Sequence, residues 1–574
     1  MMTLRWTLIF SLGLFSVTEA GSAPLAVTAP QTGFSTAAGT TIQLKDAVRF
    51  LSQSAWGATK ADTDAVRALG YDGWISDQFN TASIDTHVAY VQRMGPIGCN
   101  PCDSTGINAF MESFWRQAVL GQDQLRQRTA WALSQIFVTS QVNSGLDDPL
   151  AHASYYDMLS SNAFGNYRQL LEGVALHPTM GIYLSHLGNI RENTATGQLP
   201  DENFAREVMQ LMSIGLWQLN PDGSRKKDAN NKDIPTYNQT DILNMARVFT
   251  GWSWGGPDTT DNRWYGQPKA GVPTINYLLP MQNYARYTSG RAKNLVTGVV
   301  IPAQTDGPTS MKIALDTLFN HPNVPPFIGS QLIKRLVTSN PSPAYINRVS
   351  QAFINNGAGV RGDMKAVLRA VLLDPEARTV STSPTYGKLR EPVLRYGYFL
   401  RTYSAVSDST KYRIWNLQDP VWGIGQNPQR SPSVFNFYRP DYAPTGPIRN
   451  AGLTAPEFQI TLETTTTGYA NFILGAVDRT NPWVKKDVKK NGPVDDYLAG
   501  NFATELGLAN ANDTAGLVDR VNTWIAAGQM STSTRNAITA AVNSIGLGEY
   551  RGAERKVTTA VGLALVSTDF LVQK

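Results

Sequence analysis

Apolar positions recur with helical spacing from residue 46 to the C-terminal end of this chain, and rarely with the two-residue period of a strand. Residues 200–212 show the pattern most clearly. Phe204, Val208, Leu211 and Met212 fall at i, i+4, i+7 and i+8 and form one apolar stripe. Pro200 suits a first helical turn, where its missing N–H is not needed. Asp201 and Glu202 put negative charge near the positive end of the helix dipole, and Gly215 supplies a stop. The spacing therefore predicts a helix starting at Pro200. Further helices are predicted at 60–69 and 72–79, separated at Gly70, and at 108–120 and 122–137 as a pair. Others follow at 241–249 with Thr240 as N-cap, at 326–337, 343–355 and 361–373, and in the tail at 517–527, 533–544 and 554–566. Residues 294–301 are the best short strand candidate.

Gly/Pro-rich loops run through 255–288 and 419–447, and long loops in a compact protein often carry function. No repeat and no linker interrupts the helical pattern. The fold class expected is mainly α: one large multi-helix body, with two lobes as an open variant, long Gly/Pro-rich loops and little β structure. The boundaries expected are a signal peptide at 1–20, a flexible leader at 21–43 and a helical domain at 44–574.

The N-terminus has the build of a secretory signal. Arg5 supplies the positive charge, residues 6–15 form the apolar core, and small residues follow, with cleavage expected after Ala20. No cysteine follows that core, so the lipoprotein pattern is missing, and no later stretch is long and apolar enough to span a bilayer. The expected location is secreted or periplasmic. A formal charge of +5 over 574 residues is a weak bias. With no dense Lys/Arg stripe, it argues against a nucleic-acid partner. The 42% hydrophobic content is ample for a large core.

The polar face of residues 200–207 divides in two. Glu202 and Arg206 are an i, i+4 pair opposite the apolar stripe and satisfy each other as a surface ion pair. Asn203 and Glu207 are a second i, i+4 pair, with Glu207 at the edge of the stripe. A carboxylate there needs a partner or a shifted pKa. Two readings fit: a structural knot, or a site in which Glu207 is the acid or base and Asn203, Arg206 and His177 assist. Asp201 and Asp241 add carboxylates for glycosidase-type chemistry. Arg206 and Arg247 suit an anionic substrate or a structural partner equally.

Residues 251–255 match G-x-S-x-G, but a helix precedes Ser253 and a Gly/Pro loop follows, which inverts the nucleophile-elbow context. Trp252 and Trp254 are candidates to stack on a sugar ring, or to cap the helix end by packing. His177 and His186 precede the acidic segment and could bind a cation or do acid–base work with it. No two histidines have the i, i+4 spacing of a helical metal pair, and no metal is assigned. His177-Pro178 and His321-Pro322 look equally like punctuation at helix starts. Cys99 and Cys102 are expected to close a local disulfide outside the cytoplasm. The cofactor is left undefined. Residues 430–440 form an aromatic and arginine loop that either lines a cleft or packs on the helical body.

Taken together, several motifs resemble one family: Arg49 through Gly57, Leu125-Arg126-Gln127-Arg128, Asn162 through Asn166, His177 through Met180, and above all Pro200 through Glu207. Ala246 through Trp252, Arg361-Gly362-Asp363, Asp374 through Arg378, Gly387 through Pro392 and Phe570 through Gln573 complete the match. The chain resembles the uncharacterised bacterial family catalogued as domain of unknown function 1800. The resemblance implies an exported, mainly helical protein, with members often encoded beside another exported, sulfatase-like family. It supplies no activity. The function expected is an exported enzyme acting on extracellular polysaccharide or another polymer by carboxylate chemistry. The alternative is a non-catalytic binding or assembly module that touches a glycan or a co-encoded exported protein.

Overall fold

A computed structural model describes residues 41–94, 107–142, 144–407, 410–414, 417–478, 486–489, 492–495, 498 and 500–574. The signal peptide, the leader up to residue 40 and the cysteine pair Cys99 and Cys102 lie outside the described residues. Helix accounts for 52% of the chain, and among the described residues strands are confined to four short antiparallel pairs, so the protein is mainly α. No helix among the described residues is long and apolar enough to cross a membrane.

The core is organised as two hydrophobic clusters. One gathers Phe50, Leu133, Phe204, Met245, Leu332 and Val371 among others. The second gathers Trp56, Phe114, Trp131, Tyr396, Phe472 and Val561. The Gln124–Ser134 and Pro149–Ser161 helices serve both: Leu133 and Tyr155 face the first cluster, Trp131 and Tyr156 the second. A helix between two cores is buried all round, which is why its sequence lacks a clean amphipathic stripe.

Most predicted helices are present with shifted ends. Within Lys60–Asn80 two helices meet at a kink at Gly70, as predicted; its φ of 74° and ψ of 170° are non-helical, and a side chain would disfavour that φ. The helix expected at 241–249 is Gln239–Val248. Its N-cap is Asn238 rather than Thr240: the Asn238 side chain accepts from the backbone N–H groups of Thr240 and Asp241, while Asp241 reaches back to the Asn238 N–H. The strand candidate at 294–301 is a small hairpin, Lys293–Asn294 paired with Val300–Ile301.

The helix predicted from Pro200 starts three residues later, at Asn203–Gln210. The reason is local. Asn189 holds the Asp201 backbone from both sides, its amide oxygen accepting from Asp201 N–H at 2.8 Å and its NH2 donating to Asp201 C=O at 3.1 Å. The Asp201 carboxylate then accepts from Asn203 N–H at 2.8 Å. Asp201 thus ends an extended lead-in and does not lie in the first turn. Of the predicted stripe, Phe204, Val208 and Met212 are fully buried, while Leu211 is half-buried and closes the helix. Gly215 follows with φ 69°, packed so closely on the Phe327 ring that a Cβ would lie 2.9 Å from it.

Candidate functional site

The predicted division of the acidic segment into two faces is present. Arg206 pairs with Glu202 at 3.2 Å, and Gln239 donates to the same Glu202 oxygen at 2.7 Å. Those residues fasten the helix start to the next helix. Asn203 is exposed. Glu207 is only 7% exposed, and its Oε2 is buried with no hydrogen-bond partner. Burial raises its pKa, opposed only in part by the Arg206 charge. Tyr183 and Tyr237 lie within its field. Both phenols are pushed up to about 12, first by burial, with the Glu207 charge adding to it. A hydrogen bond from the Ser431 side chain moderates the shift at Tyr183, and this brings the aromatic and arginine loop to the same locality.

The histidines take structural places. His177 is the N-cap of Pro178–Tyr183: its Nδ1 accepts from Thr179 N–H at 3.2 Å, and its ring stands edge-on to Tyr155. No hydrogen bond or ion pair among the described residues joins it to Glu207. His186 is nearer the acidic helix, stacked on Phe204 at 3.8 Å, with its Nε2 bonded to the Ala175 carbonyl. Burial lowers the pKa of both imidazoles to about 4. Among the described residues, no group of three or more His, Cys, Asp or Glu side chains is placed to hold a metal ion.

The tryptophan pair also takes the structural alternative. Trp252 and Trp254 are each 5% exposed and offer no free ring face; Trp252 packs into the first core and Trp254 stands edge-on to Tyr277. Ser253 is fully buried, and its hydroxyl donates to the Trp264 carbonyl at 2.7 Å. It is no nucleophile. The segment is folded in because Trp252–Ser253 pairs with Gln282–Asn283. Gly251, at φ 78°, lets residue 288 approach to where a Cβ would touch Thr288 Oγ1 at 2.2 Å.

That close approach builds a feature the sequence did not single out. Segments 190–198, 285–291 and 304–307 line a polar cleft of about 870 Å3. Glu192 lies at its base. Its Oε1 accepts from Ser289 Oγ at 2.8 Å and pairs with Arg291 at 3.1 Å, while Arg247 Nε stands 4.0 Å from Oε2. Arg247, predicted to hold an anion or a carboxylate, is therefore beside Glu192, and it also donates to Asn244 at 2.7 Å. Lys293 is buried behind it, donating to the Ser289 and Arg291 carbonyls. The available signal was the length of the 255–288 loop, which ends where the cleft begins. Nothing in the spacing linked Glu192 to Ser289, 97 residues away.

A second constellation is closed. Glu391, fully buried, accepts from Trp131 Nε1 at 2.8 Å, Gln426 at 2.7 Å, Tyr438 at 2.7 Å and Gln135. Burial alone would raise its pKa, but Lys388, Arg128 and these donors hold it below the usual value. Lys388 also pairs with Glu457 at 3.0 Å, both side chains being almost fully buried. Burial raises the Glu457 pKa despite that ammonium. Tyr438 comes from the 430–440 loop, so part of that loop packs inward, while Phe435 remains 40% exposed. With no access from solvent to Glu391, this network is architecture.

The fold and these sites define a helical protein with an enclosed ionic network around Glu391 and Glu457, a desolvated carboxyl at Glu207 and an open polar cleft beside Glu192. The profile of the family described as "Protein of unknown function (DUF1800)" matches residues 49–572, and the chain belongs to that family. No curated protein and no solved structure matches the chain significantly.

Proposed function

We propose that this protein is exported and acts as an enzyme on an extracellular polysaccharide or another polymer by carboxylate acid–base chemistry, with Glu207 as the acid. The observation that carries the reading is the Glu207 carboxyl itself, desolvated and with Oε2 unpartnered. A carboxyl in that state keeps its proton at a pH where ordinary glutamates have lost theirs, and a retained proton is what a leaving oxygen needs. Tyr183 and Tyr237 are the phenols positioned to tune it. Arg206 and Glu202 fix the helix that presents it. Export rests on the charged, apolar and small-residue succession of residues 1–20. N-terminal sequencing of protein recovered from outside the cytoplasm should begin at Gly21, and a chain retaining Met1 would remove that part of the reading.

One observation favours a non-catalytic binding or assembly module: the buried tryptophans leave the Glu207 helix without the aromatic platform expected for a sugar. A single experiment separates the two. Wild type and Glu207→Gln are screened on extracellular glycans for new reducing ends, with melting curves recorded on the same samples. The enzyme reading expects turnover by wild type and its loss in Glu207→Gln, with the melting temperature held or raised. Equal turnover by both proteins, or none by wild type on any polymer, would leave the binding module.

A further inference from the structure

We infer that the cleft between segments 190–198, 285–291 and 304–307 is a binding site for an acidic oligosaccharide, one whose carboxylates are met by Arg191 and Arg291. The inference is independent of Glu207 and of any catalysis.

Charge is the first argument. At the base, the carboxylate of Glu192 faces Arg291 at 3.1 Å and Arg247 at 4.0 Å, with Lys293 buried close by; the other carboxylate on the lining, Asp306, is bonded to the Thr309 N–H and hydroxyl at the start of the next helix. The Glu192 anion cannot neutralise three cations. On the wall, Arg286 is used by Asp261 at 2.6 Å and by the Thr259 carbonyl. Arg191 is exposed on the cleft, and no hydrogen bond or ion pair among the described residues engages its guanidinium. A planar guanidinium left free beside a cationic floor suits a bidentate carboxylate.

Preorganisation is the second argument. The three lining segments are bonded to one another through backbone groups: Arg191 N–H donates to the Tyr287 carbonyl at 3.0 Å, and Gln304 N–H to the Gly290 carbonyl at 2.9 Å. Ser289 N–H donates to Thr250 Oγ1 at 2.8 Å, which ties the floor to the end of the Gln239–Val248 helix. The walls therefore hold their charges in place without a ligand to order them.

Size and lining give the class of ligand. A cleft of about 870 Å3 falls within the range of small-molecule sites, about 300–1,000 Å3. Asn193, Thr194, Gln198 and Gln304 supply amides and a hydroxyl along it, the groups that pair with sugar hydroxyls. The aromatic side chain that lines it, Tyr287, is already stacked on Trp264 at 4.0 Å and has the Arg286 guanidinium over its ring. It has little free face for a nucleobase. Carboxylates spaced along a hydroxyl-rich chain match the lining better than a nucleotide or an apolar peptide.

The test is calorimetric titration of the full chain with oligogalacturonate, a neutral cello-oligosaccharide of the same length, and inorganic phosphate, at low and high salt. Oligogalacturonate should bind, and more weakly at high salt. Arg191→Gln should weaken it about tenfold or more, the scale of one charge-assisted hydrogen-bonded contact, with an unchanged melting curve because Arg191 supports nothing else. Arg291→Gln should weaken it too. Cello-oligosaccharide binding as tightly as the acidic one, or oligogalacturonate affinity unchanged in Arg191→Gln, overturns the inference. Phosphate binding as tightly as the oligomer also overturns it, since the cleft would then be a plain anion site.

Discussion

Burial drives both Glu207 and His177 toward the neutral form, which keeps the proton on the carboxyl and off the imidazole, with opposite pH consequences. A buried carboxyl with a raised pKa stabilises the fold while protonated, and that contribution is lost as pH rises above the ordinary glutamate value of 4.5 through the folded one. Glu207→Gln keeps the shape and removes the charge, so it should raise the melting temperature at neutral pH and change it little at pH 4. Melting curves at the two pH values check this, and a uniform loss of stability would mean that the carboxylate has a partner. A buried imidazole lowered to about 4 works the other way. Its contribution is complete above the ordinary value of 6.5 and is lost as pH falls toward 4. Fully titrated, one such group amounts to roughly 3 kcal/mol. His177→Asn retains a capping side chain without a titrating group, so it should flatten the stability loss between pH 6 and 4 measured by urea denaturation. At this scale helical spacing alone puts Glu207 at the edge of a stripe, and the folded chain buries it there. The sequence also offered His177-Pro178 as a helix start, which the cap bears out, but not what surrounds that cap, which is a question of packing.

At the scale of elements, helix existence was readable and helix ends less so. Apolar period survives almost any environment. Caps depend on which polar side chain arrives first. Asn238 outcompetes Thr240 because its amide reaches two N–H groups while Asp241 closes the box from inside the helix. Asn238→Ala should therefore cost about 1 kcal/mol, seen as a lowered urea midpoint, whereas Thr240→Ala should cost much less. The loop after that helix depends on Gly251. A methyl group there meets both a positive φ and Thr288 Oγ1 at 2.2 Å. Gly251→Ala should cost at least about 1–3 kcal/mol from backbone strain alone, and it should weaken any ligand of the cleft because segment 285–289 must move. Glycine in a G-x-S-x-G match looks like a nucleophile elbow. Here its service is to let two segments touch.

Across the whole molecule, motifs far apart in sequence meet in pairs. Lys388–Leu389 forms its strand with Val572–Gln573, and Gln573 then donates to the Leu336 and Val337 carbonyls. Arg49 donates to the Ala377 and Arg378 carbonyls, and Asn166 bridges to Asp363. Glu391 and Glu457 draw Lys388, Trp131, Gln426 and Tyr438 into one enclosed network. Removing one member of a buried pair leaves a charge without compensation, about 3–5 kcal/mol. Lys388→Met should therefore lower the urea midpoint far more than substitution of an exposed pair such as Lys60 and Asp64, both largely in water.

By itself the sequence determined that this chain is helical and where most helices run. It also pointed to residues 200–207 as a place where charges divide into a paired face and an unpaired one. Those properties follow from spacing of three and four residues, which is local. Only the tertiary structure decided that Trp252 and Trp254 face inward, that the His177 ring packs on Tyr155, and that Glu192, Ser289 and Arg291 share one cleft with Arg247 beside Glu192. Those outcomes depend on which surfaces lose water together when distant segments pack, and no local period encodes that.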